Sequence, residues 1–265
     1  MAGRLILATV GTSALDRRKL EMLSLWGSYQ SIRMELSSAT PQRFHLWVEE
    51  KHLPRPIDQF MASYADALYR LDIAEAINQP YRGVIPFSAE MTSLYLMYQN
   101  AEQDPDLQDL DPKTDTIVFV LSDSAEGALC GLLHRKWLSE SRFLREQNIE
   151  PTLRIIDDLQ VENLPKFLQN GLQKFTAALR EYTRGQPRST LFNATGGFKS
   201  LIPYATFLSL AYTMPMFFVF EELPHLLAIK PPPIQSQDDK ARLLGFVQQI
   251  FRRSSVHLEF TPSDA

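Results

Sequence analysis

A short glycine-containing segment, Asn193 to Lys199, has the residue types of an anion-binding turn. Its sequence, NATGGFK, stands between a short apolar run and a longer one that favours a helix. Two adjacent glycines let the backbone take positive φ values and approach a ligand closely. The first amides of a helix have no intrahelical partner, and such helix starts attract phosphate groups. Lys199 favours a negative partner, because a cation there opposes the helix dipole. A plain glycine turn with a solvated lysine is the alternative.

Small polar residues also follow two apolar, β-branched runs, at positions 4–10 and 116–121. The loops are Gly-Thr-Ser at 11–13 and Ser-Asp-Ser at 122–124, and both runs are typical of central strands. Ligands of open α/β sheets bind beyond the carboxyl ends of the strands. If the sheet is parallel, all three loops share that edge, where their hydroxyls and amides suit phosphate and ribose groups. Helix capping explains the 122–124 loop about as well.

The elements that must position these loops alternate along the chain between strand-like runs and helical stripes. One such stripe is formed by Leu168, Leu172, Phe175 and Leu179. This alternation predicts an α/β fold with a Rossmann-like, doubly wound and mostly parallel sheet. Residues 1–233 would form this domain, and 234–265 a C-terminal extension that packs on it or caps it. A short strand is also predicted over Phe44 to Val48.

Composition excludes several classes of function. The chain has 265 residues, 27 Lys and Arg against 31 Asp and Glu, and a formal charge of −4. A net acidic chain is a poor candidate for non-specific binding to long nucleic acid. One cysteine and five scattered histidines offer no metal-ligand spacing, so we expect neither a metal nor another cofactor. Prolines interrupt the longest apolar stretch, which argues against a membrane span. No signal peptide is recognisable at the N-terminus, which predicts a cytoplasmic protein.

Familiar nucleotide-binding motifs do not fit. Gly197-Phe198-Lys199-Ser200 looks like the end of a Walker loop, but Phe198 separates the glycine from the lysine. The glycine that this motif requires further upstream is missing, and the chain contains no G-x-G-x-x-G. A nucleotide site, if present, is therefore of another kind.

Taken together, the motifs resemble those of CARF domains, the CRISPR-associated Rossmann-fold sensors of type III systems. The resemblance covers roughly residues 4–233 and is most specific in the NATGGFK segment. The stand-alone branch of that family is further suggested by a phenylalanine- and glutamate-containing strand before a proline-rich stretch. The motifs that carry the resemblance are Val10-Gly11-Thr12-Ser13, Ser88-Ala89-Glu90, Ser122-Asp123-Ser124-Ala125-Glu126-Gly127, Asn193-Ala194-Thr195-Gly196-Gly197-Phe198-Lys199 and Phe218-Val219-Phe220-Glu221-Glu222.

The resemblance implies a cyclic oligoadenylate ligand, most often the cyclic tetra-adenylate, and a homodimer that shares the ring across its two-fold axis. No effector module is recognisable after Pro233, which favours a ring nuclease that cleaves the ring without a metal. Lys199 and Ser13 are the expected catalytic residues, one stabilising charge on the phosphoryl oxygens and the other contacting the 2′-hydroxyl or the phosphate. The expected ligand-binding residues are Gly11, Thr12, Ser88, Glu90, Ser122, Asp123, Ser124, Glu126, Asn193, Thr195, Gly196, Gly197 and Phe198.

Two alternatives stay open at the level of sequence. The same pocket would serve a sensor that holds the ring intact and regulates a separate effector protein. An unrelated Rossmann-like nucleotide protein would be preferred if the three loops did not share one edge of the sheet.

Overall fold

A six-stranded sheet forms the centre of the molecule in the computed structural model. The structure describes residues 3–50, 53–140, 150–160, 163–184, 190–197, 201–220, 223–231 and 236–253. The strands are β1 (Leu5–Thr9), β2 (Thr116–Ser122), β3 (Thr152–Ile156), β4 (Thr190–Asn193), β5 (Met216–Phe220) and β6 (Leu223–Ile229). Their order in the sheet is β3-β2-β1-β4-β5-β6. All neighbours pair in parallel except β5 and β6, which are antiparallel.

Helices cover both faces of this sheet. The described α-helices are α1 (Arg17–Met22), α2 (Trp26–Ser38), α3 (Pro41–Glu50), α4 (Arg55–Tyr69), α5 (Ile73–Asn78), α6 (Ala89–Gln99), α7 (Ala125–Glu140), α8 (Leu164–Lys166), α9 (Leu172–Thr183), α10 (Ile202–Ala211) and α11 (Gln237–Arg253). A 3₁₀ turn spans Ser13–Leu15, and a π-helical turn at Phe167–Gly171 joins α8 to α9. No helix of the described residues is long and apolar enough to cross a membrane.

The core has two layers because successive side chains of a strand point to opposite faces. In β1, Ile6 and Ala8 pack with α2, α4, α6 and α7, whereas Leu5 and Leu7 pack with α9 and α10. Every residue of β1 is buried, as expected for a central strand of a parallel sheet. These features confirm the predicted Rossmann-like α/β class.

The strand predicted over Phe44 to Val48 is wrong, because these residues belong to α3. Phe44, Trp47 and Val48 are all buried in the core on the α7 side of the sheet. Their spacing of three and four residues is the period of a helix face. A five-residue aromatic and aliphatic run is compatible with either structure, and tertiary packing decides between them.

Helix α6 runs from the carboxyl ends of the strands to their amino ends. Its N-cap, Ser88, lies at the carboxyl edge, and the Ser88 hydroxyl accepts a hydrogen bond from the Met91 amide over 3.1 Å. Near its other end, the Tyr98 hydroxyl donates to buried Asp115 over 3.1 Å, just before β2 begins. Asp115 also accepts the Arg4 amide that precedes β1, over 2.7 Å. The helix is therefore held at both of its ends.

Beyond the sheet, α11 packs against α10. Leu244 and Val247 of α11 are buried in the core layer formed by α9 and α10. Residues 254–265 lie outside the described part of the chain.

Candidate functional site

A cavity of about 760 Å³ opens at the carboxyl edge of the sheet. The loops after β2, β1 and β4, three adjacent parallel strands, all contribute to its wall. Successive strands are added to one side of β1 up to β3, and to its other side from β4 onwards. The point between β1 and β4 is therefore the topological switch point, where ligands of such sheets bind.

The structure brings together most of the sequence-predicted site residues that it describes. The cavity wall includes Gly11, Thr12, Ser13, Glu90, Ser124, Glu126, Thr195, Gly196 and Gly197. Ser88, Ser122, Asp123 and Asn193 lie close by but are buried behind the wall. Phe198 and Lys199 lie outside the described residues.

The β1 and β4 loops touch through their glycines. A Cβ atom on Gly11 would lie 2.7 Å from the Gly197 nitrogen, and one on Gly196 would lie 2.3 Å from the Thr9 carbonyl oxygen. Gly197 has φ +94°, a conformation that L side chains rarely adopt. The Thr9 hydroxyl donates a 2.5 Å hydrogen bond to the Gly196 carbonyl, which joins the two loops. Glycine is needed here because the two backbones meet directly.

Glu90 holds the β1 loop in place. Its carboxylate accepts the Gly11 amide over 2.7 Å and the Ser13 hydroxyl over 2.6 Å. The Ser13 oxygen in turn accepts the Ala89 amide over 3.1 Å. Glu90 is only 1% exposed, so its charge is stabilised by these contacts rather than by water. The resulting network joins the loop after β1 to the first turn of α6.

A buried histidine stands behind this network. His134 Nε2 lies 2.8 Å from the Ser88 hydroxyl and 3.9 Å from Glu90 Oε2. Burial lowers the pKa of His134. Burial alone would raise the pKa of Glu90, but the adjacent His134 imidazole and the hydrogen bonds from Ser13 and Gly11 bring it below its ordinary value of 4.5. Glu90 is therefore a carboxylate at neutral pH.

The β4 loop is fixed from the same helix. The Asn193 side-chain oxygen accepts the Ser93 hydroxyl of α6 over 3.0 Å and the Thr195 amide over 3.1 Å. The Thr195 hydroxyl accepts the Val219 amide of β5 over 3.1 Å. Asn193 therefore shapes the loop from behind, while Thr195 and the glycines face the cavity.

The β2 loop combines capping with packing. The Ser124 hydroxyl accepts the Gly127 amide over 3.0 Å and lies 2.9 Å from the Ser122 hydroxyl. Buried Asp123 accepts the Asp158 amide and the Gln160 side chain, each over 2.9 Å. Ser124 thus caps the start of α7 and also lines the cavity.

Several cavity residues were missed by sequence reasoning. Arg18 and Lys19 on α1 and Tyr29 on α2 contribute to the wall, together with Gln160 after β3. The Lys19 ammonium donates to the Phe87 carbonyl over 3.0 Å, in the segment leading into α6. Arg18 and Lys19 follow the Gly11 loop closely in sequence, and this proximity could have indicated that they belong to the site. Nothing in the sequence marks Tyr29 or Gln160.

Acid should destabilise the protein in part through Glu90. Because its pKa is lowered by folding, the unfolded chain binds this proton at a higher pH. The free energy of unfolding therefore falls as the pH drops below about 4.5. We expect Glu90→Gln to lose this part of the acid sensitivity in thermal melts between pH 7 and pH 3. His134 also contributes to the loss of stability in acid, but its contribution begins at higher pH, near its ordinary pKa of 6.5. The Glu90→Gln variant should retain this contribution. An equally steep fall below pH 4.5 in the variant would assign the effect to other groups.

The donor set around the cavity is poor in metal ligands. Across the described ranges, no group of three or more His, Cys, Asp or Glu side chains is arranged to hold a metal ion. The cavity is lined by hydroxyl-bearing residues, glycine backbone and the cationic Arg18 and Lys19, together with the carboxylates of Asp16, Glu90 and Glu126. The hydroxyls, backbone amides and cations suit a phosphate-containing ligand.

Comparison with known proteins places this architecture in a family. Among curated proteins, none matches the sequence. Residues 86–233 match the family model described as CRISPR-associated protein (Cas_APE2256). The matched region begins just before α6, includes the loops after β2 and β4, and extends over more than half of the chain. The chain belongs to this CRISPR-associated protein family.

Proposed function

We propose that the protein binds a cyclic oligoadenylate, in the first place cyclic tetra-adenylate, and opens the ring without a metal. The linear products would carry 2′,3′-cyclic phosphate ends, and cleavage would switch off type III CRISPR signalling. The observation that carries this proposal is the meeting of the β1, β2 and β4 loops in one polar cavity, in a chain of a CRISPR-associated family. The motifs in these loops are those that resemble CARF domains.

The chemistry of the wall supports a phosphate ligand. Thr12, Ser13 and Thr195 line the cavity beside the glycine backbone, and Arg18 and Lys19 supply positive charge that partly offsets the carboxylates of Asp16, Glu90 and Glu126. Lys199 follows Gly197 by two residues and would add a further cation. In cleavage, the ribose 2′-hydroxyl attacks the adjacent phosphorus in line and expels the 5′-oxygen. Positioning of these groups and stabilisation of charge on the phosphoryl oxygens supply the rate enhancement.

The size of the cavity supports a shared ligand. Small-molecule sites commonly enclose about 300–1,000 Å³, and this cavity has about 760 Å³. A ring of four nucleotides is larger than the ligands of such sites, so one chain would enclose only part of it. Two copies related by a two-fold axis would each bind half of a symmetric ring. A homodimer with one ring per two chains is therefore part of the proposal.

The direct experiment is to incubate the protein with radiolabelled cyclic tetra-adenylate in EDTA and to separate the products. Shortened linear products with 2′,3′-cyclic phosphate ends are expected. Native mass spectrometry of the complex would give the number of chains per ring. A ring that is neither bound nor cleaved would exclude the proposed function.

A sensor that binds the ring intact and regulates a separate effector protein is the second candidate. One observation favours it: among the described residues that line the cavity there is no histidine. His134 is fully buried behind Ser88 and does not reach the ligand space. Tight binding with an unchanged ring in the same assay would select this function.

A further inference from the structure

The hydroxyl of Ser13 has a fixed direction in the structure. Its proton points to Glu90 Oε2 over 2.6 Å, a length typical of a hydroxyl bonded to a carboxylate. One lone pair of the Ser13 oxygen accepts the Ala89 amide. A hydroxyl oxygen has two lone pairs, so one remains, and Ser13 lines the cavity. Towards a ligand, Ser13 can therefore accept a hydrogen bond but cannot donate one.

We infer that Glu90 is a positioning residue that makes Ser13 the acceptor of the ribose 2′-hydroxyl proton. This inference rests on the proposed ring cleavage. As the 2′-oxygen forms its bond to phosphorus, its proton passes to the Ser13 oxygen while the Ser13 proton passes to Glu90. The bond from phosphorus to the 5′-oxygen breaks, and that oxygen takes a proton from water. Glu90 then returns its proton through Ser13 to the hydroxide left behind.

The surroundings of Glu90 fit this role. Its other oxygen is held by the Gly11 amide, so the carboxylate cannot rotate away from Ser13. The ionisable groups that interact with Glu90 lie on α4 and α7: Tyr64, Cys130 and His134. Lys19 on α1 interacts with the last two of them. Burial raises the pKa of both Tyr64 and Cys130, and burial lowers that of His134. These three groups are therefore neutral at neutral pH, and Glu90 is the proton acceptor next to Ser13.

Glu90→Gln tests the inference, because it keeps the shape of the side chain. The new amide would donate to the Ser13 oxygen and leave the Ser13 proton pointing at the ligand. We expect kcat for ring cleavage to fall about 10²-fold or more, with the Kd for cyclic tetra-adenylate within about threefold of wild type. In the wild type, kcat should decline at acidic pH as Glu90 is protonated, and this decline should be absent in the variant.

Two further variants separate proton transfer from a structural defect. Adding Glu90→Gln to Ser13→Ala should cost little more than Ser13→Ala alone, because residues acting as a unit are not additive. Thr183→Val removes a different buried hydrogen bond, to the Leu179 carbonyl, on the α9 turn that leads to the amino edge of β4. It should lower the melting temperature and leave kcat unchanged.

The outcomes are distinct. If the wild type cleaves the ring and Glu90→Gln keeps its kcat, or keeps the acidic decline of the wild type, the inference is overturned and the proposed function stands. If the wild type leaves the ring intact, both are overturned.

Discussion

Replacing Lys199 with alanine is expected to slow ring cleavage by about 10²–10³-fold, the usual effect of removing one donor that stabilises transition-state charge. Lys199 follows the cavity-lining glycines in the NATGGFK segment, and its ammonium would neutralise charge growing on the phosphoryl oxygens. Single-turnover rates with excess protein and radiolabelled cyclic tetra-adenylate measure this effect directly.

Two control variants complete the experiment. Lys199→Arg keeps the positive charge but presents it as a planar fork rather than as a compact ammonium, so it should recover only part of the rate. Lys113→Ala removes an exposed lysine just before β2, at the opposite edge of the sheet, and should leave the rate unchanged. Wild-type cleavage by Lys199→Ala would remove this residue from the mechanism.

The second large effect is expected from Gly196→Ala. Its Cβ would lie 2.2 Å from Glu90 Oε1 and 2.3 Å from the carbonyl oxygen of Thr9 in the central strand. Glu90 Oε1 is bound to the Gly11 amide, and the Thr9 oxygen belongs to the backbone of β1, so neither atom moves aside easily. The strain should lower the free energy of unfolding by about 1–3 kcal/mol. Because the strain displaces the cavity wall, it should also weaken ligand binding roughly tenfold to hundredfold. A factor of ten in Kd corresponds to about 1.4 kcal/mol. Thermal melts and titration calorimetry measure the two effects.

Gly27→Ala is the matched control for this change. A Cβ on Gly27, in the first turn of α2, would meet nothing within 4 Å. Alanine in a helix is more favourable than glycine by roughly 0.5–1 kcal/mol. The control should therefore be neutral or slightly stabilising and should bind the ligand normally. Equal behaviour of the two variants would mean that the β4 loop has room to rearrange.

The convergence of the three polar loops followed from sequence because it depends on strand direction alone. Strand-like runs that alternate with helical stretches predict parallel strands, and parallel strands share their carboxyl edge. The structure places these loops after three adjacent strands. An unrelated Rossmann-like nucleotide protein would have been preferred if the three loops did not share one edge of the sheet, and they do share it.

Contacts between distant segments could not be read in the same way. Glu90 reaches Ser13 across 77 positions of the chain, and no local pattern encodes such a pairing. Tyr29 and Gln160 enter the cavity wall from elements that the motifs do not include. The erroneous strand at Phe44 to Val48 has the same origin, because only packing against α7 selects a helix for this short run.

Helix α6 has a consequence for the thermodynamics of binding. Glu90 and Ser93, three residues apart on this helix, hold the β1 and β4 loops, and Tyr98 attaches its far end to Asp115. The loops are thus set at a fixed separation before any ligand arrives. A ligand that fits this spacing need not order the loops itself, and this lowers the entropic cost of association. One that does not fit must distort a helix held at both ends, so rigidity here becomes a source of selectivity.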